Sequence, residues 1–415
     1  MDPLFGQTPC YVFDESLFRK RVRAVSKLLG DEIGLCYSIK ANPFLLQMLP
    51  EEFSRIEVCS PGELAICERL GLDMKKVVYS GVNKNAGEIK RALDDGAGFL
   101  TAESRDHYEA ICRDGRPADI FLRLTSGNQF GMDAGQITDI IAHADGHRQV
   151  RIRGIHFFSG TMKKKPAKIV KELARLEDFL DRLKEETGWS PQMIEYGTGL
   201  GVDYFPAQPD IPVIAAGGQS GQIFAGDPRM FAGDPQADEA ELARLAEIAP
   251  ALKRLAERAA LTVEMGRFFA APCGFYLSRV CDRKINEGIN YAILDGGIHQ
   301  IKYDGQIQGM QIPELTLIKE QETGERAGAD PEEKWTLCGS LCTVSDVLAR
   351  DVPLPGLSCG DVLAFGRCGA YSVYEGMSLF LSRDIPPVYL RRADGSLECV
   401  RARLRADELN CLMPD

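Results

Sequence analysis

The chain has 415 residues, of which 45% are hydrophobic and 26% charged, so it can bury a large core and is long enough for two domains. Its net charge of -11 argues against nucleic acid as a partner, and no apolar run approaches the roughly 20 residues that span a bilayer. The 13 cysteines and five histidines lack metal-ligand spacing, and no secretory signal opens the chain. We therefore expect a soluble, cytoplasmic protein that binds no metal, nucleic acid or membrane.

Apolar runs and helical segments alternate along the first two thirds of the chain. After an extended piece at 9–13 and an amphipathic helix at Glu15–Leu29, eight strands are predicted near 34–40, 55–59, 76–81, 98–102, 118–124, 152–158, 193–197 and 261–265. Eight strands separated by helices over about 240 residues favour a (β/α)8 barrel. An open, doubly wound sheet is the alternative, but it requires a Gly-x-Gly-x-x-Gly turn after the first strand, and none is present.

The sequence pattern changes near Pro272. Short β-like runs joined by turns follow at 275–280, 291–295, 335–337, 362–365 and 387–390. We expect a barrel domain at 27–270 and a β-rich domain made of 1–26 and 271–415.

Two polar segments interrupt this plan. The Gly-, Pro- and Asp-rich segment 207–237 contains Phe-Ala-Gly-Asp-Pro twice, and we expect a surface excursion that borders the site. The charged segment 320–333 is expected to be a solvated loop.

Polar residues stand where the predicted barrel strands end, which is where such barrels carry their chemistry. These ends hold Lys40, Glu57, Gly81 with Asn83, Arg123, His156 with Phe158, the glycine loop after Glu195, and Glu264 with Arg267. Taken by itself, Lys40 can be explained without any chemical role, as a strand-end lysine that extends to solvent. At the mouth of an apolar pocket it would instead be suited to form a Schiff base.

The glycine loop 196–202 follows the seventh predicted strand, where barrels often bind phosphate on backbone N–H groups. Glu264 and Arg267 end the eighth strand. The carboxylate would keep a pyridine nitrogen protonated and the arginine would neutralise phosphate, with a surface ion pair as the alternative. Lysine, phosphate loop and carboxylate together describe a site for pyridoxal 5'-phosphate.

With these residues the sequence resembles the fold type III pyridoxal-phosphate decarboxylases, the family that acts on diaminopimelate, ornithine, arginine and carboxynorspermidine. The resemblance covers nearly the whole chain. It rests on seven motifs in the family's order: Tyr37-Ser38-Ile39-Lys40-Ala41-Asn42-Pro43, residues 57–64, Gly154-Ile155-His156, Gly197-Thr198-Gly199-Leu200-Gly201, Glu264-Met265-Gly266-Arg267, Cys342-Thr343-Val344-Ser345-Asp346 and Gly369-Ala370-Tyr371.

The resemblance implies roles for individual residues. Lys40 would hold the cofactor beside Glu57, and Glu264 would pair with the pyridine nitrogen. Further cofactor contacts would come from His156, Phe158, Thr161, Gly199, Gly201, Gly266, Arg267 and Tyr371. Substrate contacts would come from Arg123, Asp295, Thr343 and Tyr371. Cys342 would reprotonate Cα from an alanine racemase-like β-barrel domain of the partner, so a homodimer with shared active sites is implied.

Departures from the family's pattern bear on the substrate. Phe158 replaces the usual stacking histidine, and Thr161 replaces a serine. Thr343 stands where relatives carry a carboxylate for a distal ammonium, and a hydroxyl would leave that ammonium underpaired. No arginine follows Asp295-Gly296-Gly297, although Lys302 could partly serve, so meso-diaminopimelate fits poorly.

These departures are similar to the decarboxylases that act on glutamate tethered to an acyl carrier protein. The expected reaction is decarboxylation of an L- or D-amino acid or of a carrier-bound aminoacyl group, and another small or neutral amino acid stays open. Two alternatives are a racemase on the same fold and a non-catalytic paralogue. The order of the β-domain motifs argues against the first, and the presence of Lys40, Cys342 and Glu264 against the second.

Overall fold

A computed structural model of the chain describes residues 7–146, 148–206, 211–215, 231, 233–319 and 333–411. Most of the segments 207–237 and 320–333, for which surface positions were predicted, lies outside the described residues. The chain divides into two compact units. The first comprises Arg21–Val202 and Glu239–Phe269, and the second Met1–Lys20, Asp203–Asp238 and Ala270–Asp415. In the part of the chain that is described, no helix combines the length and apolarity needed to cross a membrane.

The helices and strands have the following bounds. The strands are β1 (Cys10–Asp14), β2 (Gly34–Ser38), β3 (Phe53–Val58), β4 (Val77–Tyr79), β5 (Phe99–Ala102), β6 (Ala118–Leu124), β7 (Val150–Phe158), β8 (Met193–Gly197), β9 (Val213–Ala215), β10 (Ala260–Met265), β11 (Gly274–Asn286), β12 (Ile289–Leu294), β13 (Leu315–Lys319), β14 (Lys334–Cys338), β15 (Val347–Pro353), β16 (Val362–Phe365), β17 (Val388–Arg391) and β18 (Leu397–Arg401). The α-helices are α1 (Glu15–Leu29), α2 (Pro61–Arg69), α3 (Ala86–Asp94), α4 (Arg105–Asp114), α5 (Ala134–Ala142), α6 (Pro166–Thr187), α7 (Pro235–Ala256), α8 (Arg267–Ala270) and α9 (Ala406–Asn410).

The first unit contains a closed barrel of eight parallel strands in the order β10-β2-β3-β4-β5-β6-β7-β8. These are the eight strands predicted from the alternation of apolar runs and helices, so the (β/α)8 barrel is confirmed. The barrel closes where β10 pairs with β2, in a register that sets Glu264 beside Cys36. All carboxyl ends of the strands therefore meet at one rim, where the chemistry of this fold is found.

Side-chain caps fix where four of the helices begin. Ser60, Asn85, Ser104 and Asp133 each accept a hydrogen bond from the backbone N–H three residues further on. Such a cap satisfies one of the unpaired donors of the first turn and contributes about 1 kcal/mol. Helix α6 begins differently, after Lys165, which makes no side-chain cap hydrogen bond.

A buried ion pair occupies the barrel interior. Arg55 on β3 donates to Glu195 on β8 at 2.6 Å, and its guanidinium lies 4.6 Å and 5.2 Å from the ring centres of Phe99 and Phe121. Burial raises the pKa of Glu195 despite the nearby charge of Arg55. Arg55 thus offsets part of the cost of burying this carboxylate.

The second unit is built on a ten-stranded sheet with the central path β15-β14-β12-β11-β1-β17-β18. The predicted β-rich domain is confirmed. Strand β1 pairs antiparallel with β11 and parallel with β17, and its Cys10 and Val12 join a core with Phe275, Leu277 and Val362. Strands β13, β15 and β18 were not predicted. Strand β9, which lies in sequence between two barrel strands, pairs with β13.

Candidate active site

Lys40 lies just beyond β2, in a short 3-10 turn formed by Ile39–Ala41. Its Nζ atom lies 2.5 Å from Oε2 of Glu57 and 3.4 Å from Oε1 of Glu264. The Sγ atom of Cys59 is 3.7 Å away. The amine is held among polar groups at the barrel rim, with 35% of its side chain exposed.

Glu264 ends β10 as a buried carboxylate with three partners. Besides Lys40, it accepts a hydrogen bond from Ser38 Oγ at 2.9 Å and one from Nε2 of His156 at 3.1 Å. Burial alone would raise its pKa, but the charge of Lys40 and the hydrogen bonds from His156 and Ser38 outweigh burial and hold the pKa well below its usual range. The site therefore contains an anion that stays ionised and can hold a proton on a bound heterocycle.

Cys59 fixes the other carboxylate beside Lys40. Its thiol donates to Oε1 of Glu57 at 2.8 Å, while its backbone N–H donates to Glu63 at 2.6 Å. Burial, followed by the charge of Glu57, raises the pKa of Cys59 well above its usual value, so the thiol stays protonated and remains a donor. Sequence analysis missed both Cys59 and Ser38. Cys59 lies two residues from Glu57, and Ser38 lies two residues from Lys40. This spacing from predicted site residues was the signal available in the sequence.

The glycine loop packs closely against the segment that follows β7. A Cβ atom at Gly197 would lie 2.6 Å from the ring of Phe158. Gly199 has a φ of +61°, and a Cβ atom there would lie 1.8 Å from the carbonyl oxygen of Gly160. The backbone of Lys163 joins the two segments, because its N–H donates to Gly199 and its carbonyl accepts from Gly201. Only a loop without side chains at these positions allows so close a backbone approach, as an anion-binding loop requires.

Three other predicted residues of the barrel unit have distinct surroundings. Arg267 is buried like Glu264, which removes the surface ion pair as an interpretation. A Cβ atom at Gly266 would lie 2.8 Å from the side chain of Ala41. Thr161 is exposed on the segment after β7.

Arg123 has an ionic partner that the sequence did not suggest. Its Nη1 atom donates to Glu103, a buried residue just after β5. The second oxygen of Glu103 accepts the N–H of Gly131 at 3.2 Å, and the guanidinium lies 5.2 Å from the ring centre of Phe130. Glu103 is thus the charge partner of Arg123 within the barrel unit, and the substrate contact of Arg123 stays a prediction.

The second unit carries the remaining predicted residues. Cys342 is exposed. The hydroxyl of Thr343 lies 2.9 Å from that of Ser345, and Tyr371 is half-buried with a left-handed φ of +60°. Asp295 accepts hydrogen bonds from Ser278 Oγ at 2.7 Å and from a backbone N–H at 2.9 Å, so its contacts support the turn after β12.

Asp346 holds the loop that bears Cys342. Its two carboxylate oxygens accept the N–H groups of Ile298 at 2.9 Å and Leu341 at 2.8 Å. Burial raises its pKa, although these two hydrogen bonds oppose the shift. The acid is thus engaged with the backbone of its own loop at Leu341 and with that of the segment after β12 at Ile298.

Comparisons with known proteins agree with this geometry. Residues 15–271 match the family described as pyridoxal-dependent decarboxylase, pyridoxal binding domain. The chain is 24% identical over 426 residues to the L-glutamyl-[BtrI acyl-carrier protein] decarboxylase of Niallia circulans, covering 97% of this chain and 93% of the relative. It is 26% identical over 420 residues to the diaminopimelate decarboxylase of Methanothermobacter thermautotrophicus, covering 95% and 89%.

A solved structure shows the same fold. The diaminopimelate decarboxylase of M. jannaschii, in complex with L-lysine, superimposes with a TM-score of 0.78 at 21% identity and covers 98% of this chain and 92% of its own. The barrel unit fits the cofactor of this family, because it combines a rim lysine, a buried ionised carboxylate and a loop that excludes side chains at Gly199. The chain belongs to the pyridoxal-dependent decarboxylases and is a carboxy-lyase that uses pyridoxal 5'-phosphate.

Proposed function

We propose that this decarboxylase acts on an aminoacyl group, such as glutamyl, that is tethered to an acyl carrier protein. The observation that carries the proposal is the loop after Cys342. Thr343 is bonded to Ser345, and the loop's carboxylate, Asp346, is taken up by two backbone N–H groups. A substrate with a distal ammonium would find no free carboxylate on this loop, whereas an uncharged thioester needs none. The relative from Niallia circulans, named for carrier-bound glutamate, supports the same choice.

The residues of the barrel rim have separate tasks in this proposal. Lys40 holds the cofactor through its amine, and Glu57, oriented by Cys59, keeps that amine in place. Glu264 holds a proton at the pyridine nitrogen, supported by His156 and Ser38. Pyridoxal 5'-phosphate, when bound, supplies the electron sink that accepts the electrons released as carbon dioxide departs.

The phosphate group and the ring face are assigned to residues around the glycine loop. We assign the phosphate to the loop at Gly199 and Gly201, with further contacts from Thr161, Gly266, Arg267 and Tyr371. Phe158, which packs on Gly197, is assigned to the face of the ring. The distal part of the substrate is assigned to Thr343 and Tyr371. Arg123 and Asp295 are left with supporting roles, because each already has partners within its own unit.

The proton for the product carbon is assigned to the thiol of Cys342. In this proposal the thiol comes from the partner subunit of a homodimer, so each active site is shared. The unit that bears Cys342 exposes several large apolar side chains, namely Val344, Met377, Leu379, Phe380 and Leu381. Val344, two residues from the thiol, is 97% exposed. Apolar exposure of this extent is typical of a surface that another protein covers.

The test measures carbon dioxide release from substrates that differ at the distal end. L-Glutamate, L-lysine, L-ornithine and meso-diaminopimelate are compared with L-glutamate loaded on the BtrI acyl-carrier protein. We expect release from the loaded carrier and little from the free diamino acids. Lys40→Ala is the matched control, and it should abolish both turnover and the visible absorbance of the lysine-bound cofactor. Efficient turnover of a free diamino acid would contradict the proposed substrate class.

A second candidate is a free amino acid with a short, uncharged side chain. The hydroxyl of Thr343 favours it, because such a substrate also lacks a distal ion. Alanine, 2-aminobutyrate and glutamine belong in the same panel. Turnover of one of these without turnover of the carrier would select this candidate.

A further inference from the structure

A dense cluster of positive charge follows Thr161, the predicted phosphate contact on the segment after β7. Between Lys163 and Arg175 the sequence has six basic residues and one acidic residue, a local net charge of +5 in a chain whose net charge is -11. We call Lys164, Lys165, Lys168, Lys171 and Arg175 the basic ridge. All five residues are exposed.

The ridge lies on one face of α6 and of the turn before it. Lys168, Lys171 and Arg175 follow one another at intervals of three and four residues, which places them on one face of α6, and Lys164 and Lys165 lie in the turn before it. The opposite face is buried through Ile169, Leu173 and Leu176. The orientation of the helix in its unit thus directs the ridge to solvent.

Little of this charge is used within the chain. The segment's one acid, Glu172, is bound by Lys163, which is outside the ridge, at 2.7 Å. Among the residues described, Lys165, Lys168 and Lys171 form no ion pair. Lys165, Lys168 and Lys171 therefore present positive charge that no ion pair of the described residues compensates, on an otherwise acidic protein.

Helix stability does not explain the ridge. Cations near a helix N-terminus oppose the helix dipole, at a cost of about 0.3–1 kcal/mol each in the first turn. The helices α2 to α5 begin with Ser, Asn or Asp caps, whereas α6 begins after Lys165 without a cap and with no acid in its first turn. These lysines lie where the fold alone would favour acids.

The ridge starts at the rim of the candidate active site. Lys163, the residue before it, is joined through its backbone N–H and carbonyl to Gly199 and Gly201 of the glycine loop. That loop and Lys40 both follow the carboxyl ends of barrel strands, so they share one rim. A macromolecule bound on the ridge would be held beside the entrance used by the substrate.

We propose that the basic ridge docks an acidic face of the acyl carrier protein that presents the substrate. This inference rests on the proposed function and adds the surface by which the carrier is recognised. Opposite charges steer the encounter and fix the orientation, and the tethered aminoacyl group then reaches the rim from a carrier already in place. The contribution is to carrier recognition and leaves the chemistry at Lys40 unchanged.

Charge reversal tests the ridge. The triple variant Lys164→Glu, Lys168→Glu, Lys171→Glu is compared with a control that changes the same net charge at exposed lysines elsewhere, Lys27→Glu, Lys75→Glu, Lys184→Glu. Each holoenzyme is assayed with L-glutamate on the BtrI acyl-carrier protein and with the glutamyl thioester of N-acetylcysteamine, which has no protein part. We expect the ridge variant to lose about tenfold or more in kcat/KM on the carrier, mainly through KM, and to keep its activity on the small thioester. The control should match wild type on both.

Binding provides a readout that does not depend on turnover. The Kd of the BtrI acyl-carrier protein, bearing phosphopantetheine without an amino acid, should rise with salt for wild type and rise about tenfold in the ridge variant. If the ridge variant and wild type bind the carrier equally and have equal kcat/KM, the proposed docking role of the ridge is wrong. Ridge-dependent binding of anionic phosphatidylglycerol vesicles or of DNA in place of the carrier would contradict that role as well. If wild type decarboxylates neither thioester, the proposed function fails. The binding measurement still shows, independently of turnover, whether the ridge binds the carrier.

Discussion

The amine of Lys40 lies 3.4 Å from the carboxylate of Glu264, although 224 residues separate the two in sequence. They meet because the barrel closes by pairing its last strand, β10, with its first, β2. The two side chains thus sit on either side of the closing seam. The site cannot form before the barrel has closed.

Replacing Glu264 with Gln should leave the fold and cofactor binding intact but slow the reaction. The amide has the same shape but cannot stabilise a proton on the pyridine nitrogen, so we expect kcat to fall roughly 100-fold, a loss of the size seen when a positioned proton-holding group is removed. Single-turnover kinetics with the loaded carrier measure this effect. Glu88→Gln, a carboxylate near the start of α3, serves as the control and should change little. Wild-type kcat in Glu264→Gln would remove the carboxylate from its assigned role.

The thiol of Cys59 should react slowly with iodoacetamide at neutral pH. Burial and the charge of Glu57 raise its pKa, so the reactive thiolate forms only at higher pH than for an ordinary cysteine. We expect its alkylation to be at least about tenfold slower at pH 7 than that of exposed Cys359 and Cys411, and to accelerate only in the alkaline range. Mass spectrometry of the apoenzyme over a pH series checks both points. A Cys59 alkylation rate that levels off below pH 8 would contradict the raised pKa.

The ion pair between Arg55 and Glu195 should matter for stability rather than chemistry. Glu195→Leu leaves a buried guanidinium without its carboxylate, and we expect the free energy of unfolding to fall by about 3–5 kcal/mol. The double variant Arg55→Met, Glu195→Leu removes both charges and should recover much of that loss. Urea unfolding of the two variants and of wild type makes the comparison. If the double variant is no more stable than Glu195→Leu, the unpaired charge of Arg55 is not the cause of the lost stability.

Mixing two inactive variants tests the shared active site. Lys40→Ala lacks the proposed cofactor anchor and Cys342→Ala the proposed proton donor, so each variant alone should be inactive as the proposed homodimer. After subunit exchange, about a quarter of wild-type activity should return, since half of the dimers are mixed and each of these keeps one intact site. Size-exclusion chromatography with light scattering confirms that the mixture is dimeric. No recovery despite exchange would place both residues in the same chain's site.

Much of the barrel and of its rim could be predicted from the sequence. Buried parallel strands are continuous apolar runs, and the fold brings their carboxyl ends together, so Lys40, Glu57 and Glu264 could be placed near one another. Their partners could not, because the contacts of Ser38, Cys59 and Glu103 depend on strand register and on side-chain rotamers. Arg123 is the clearest example. The resemblance implies a substrate contact for it, and its own strand gave no sign of Glu103, which follows the neighbouring strand.

Four strands of the second unit were not predicted from the sequence, for a different reason. Strands β13, β15 and β18 are short, and each pairs with a strand that is distant in sequence or shifted by a bulge. A local pattern contains no information about such partners. Strand β9 was overlooked for the same reason, since the strand that it pairs with lies about a hundred residues further along the chain.

The position of β1 between β11 and β17 has a consequence for biosynthesis. This apolar strand is synthesised before the barrel, but its two neighbours are made only after the whole barrel sequence has been translated. The barrel can therefore fold while β1 still waits for partners, and the second unit forms last. Loss of β1 or of β17 would damage the same sheet.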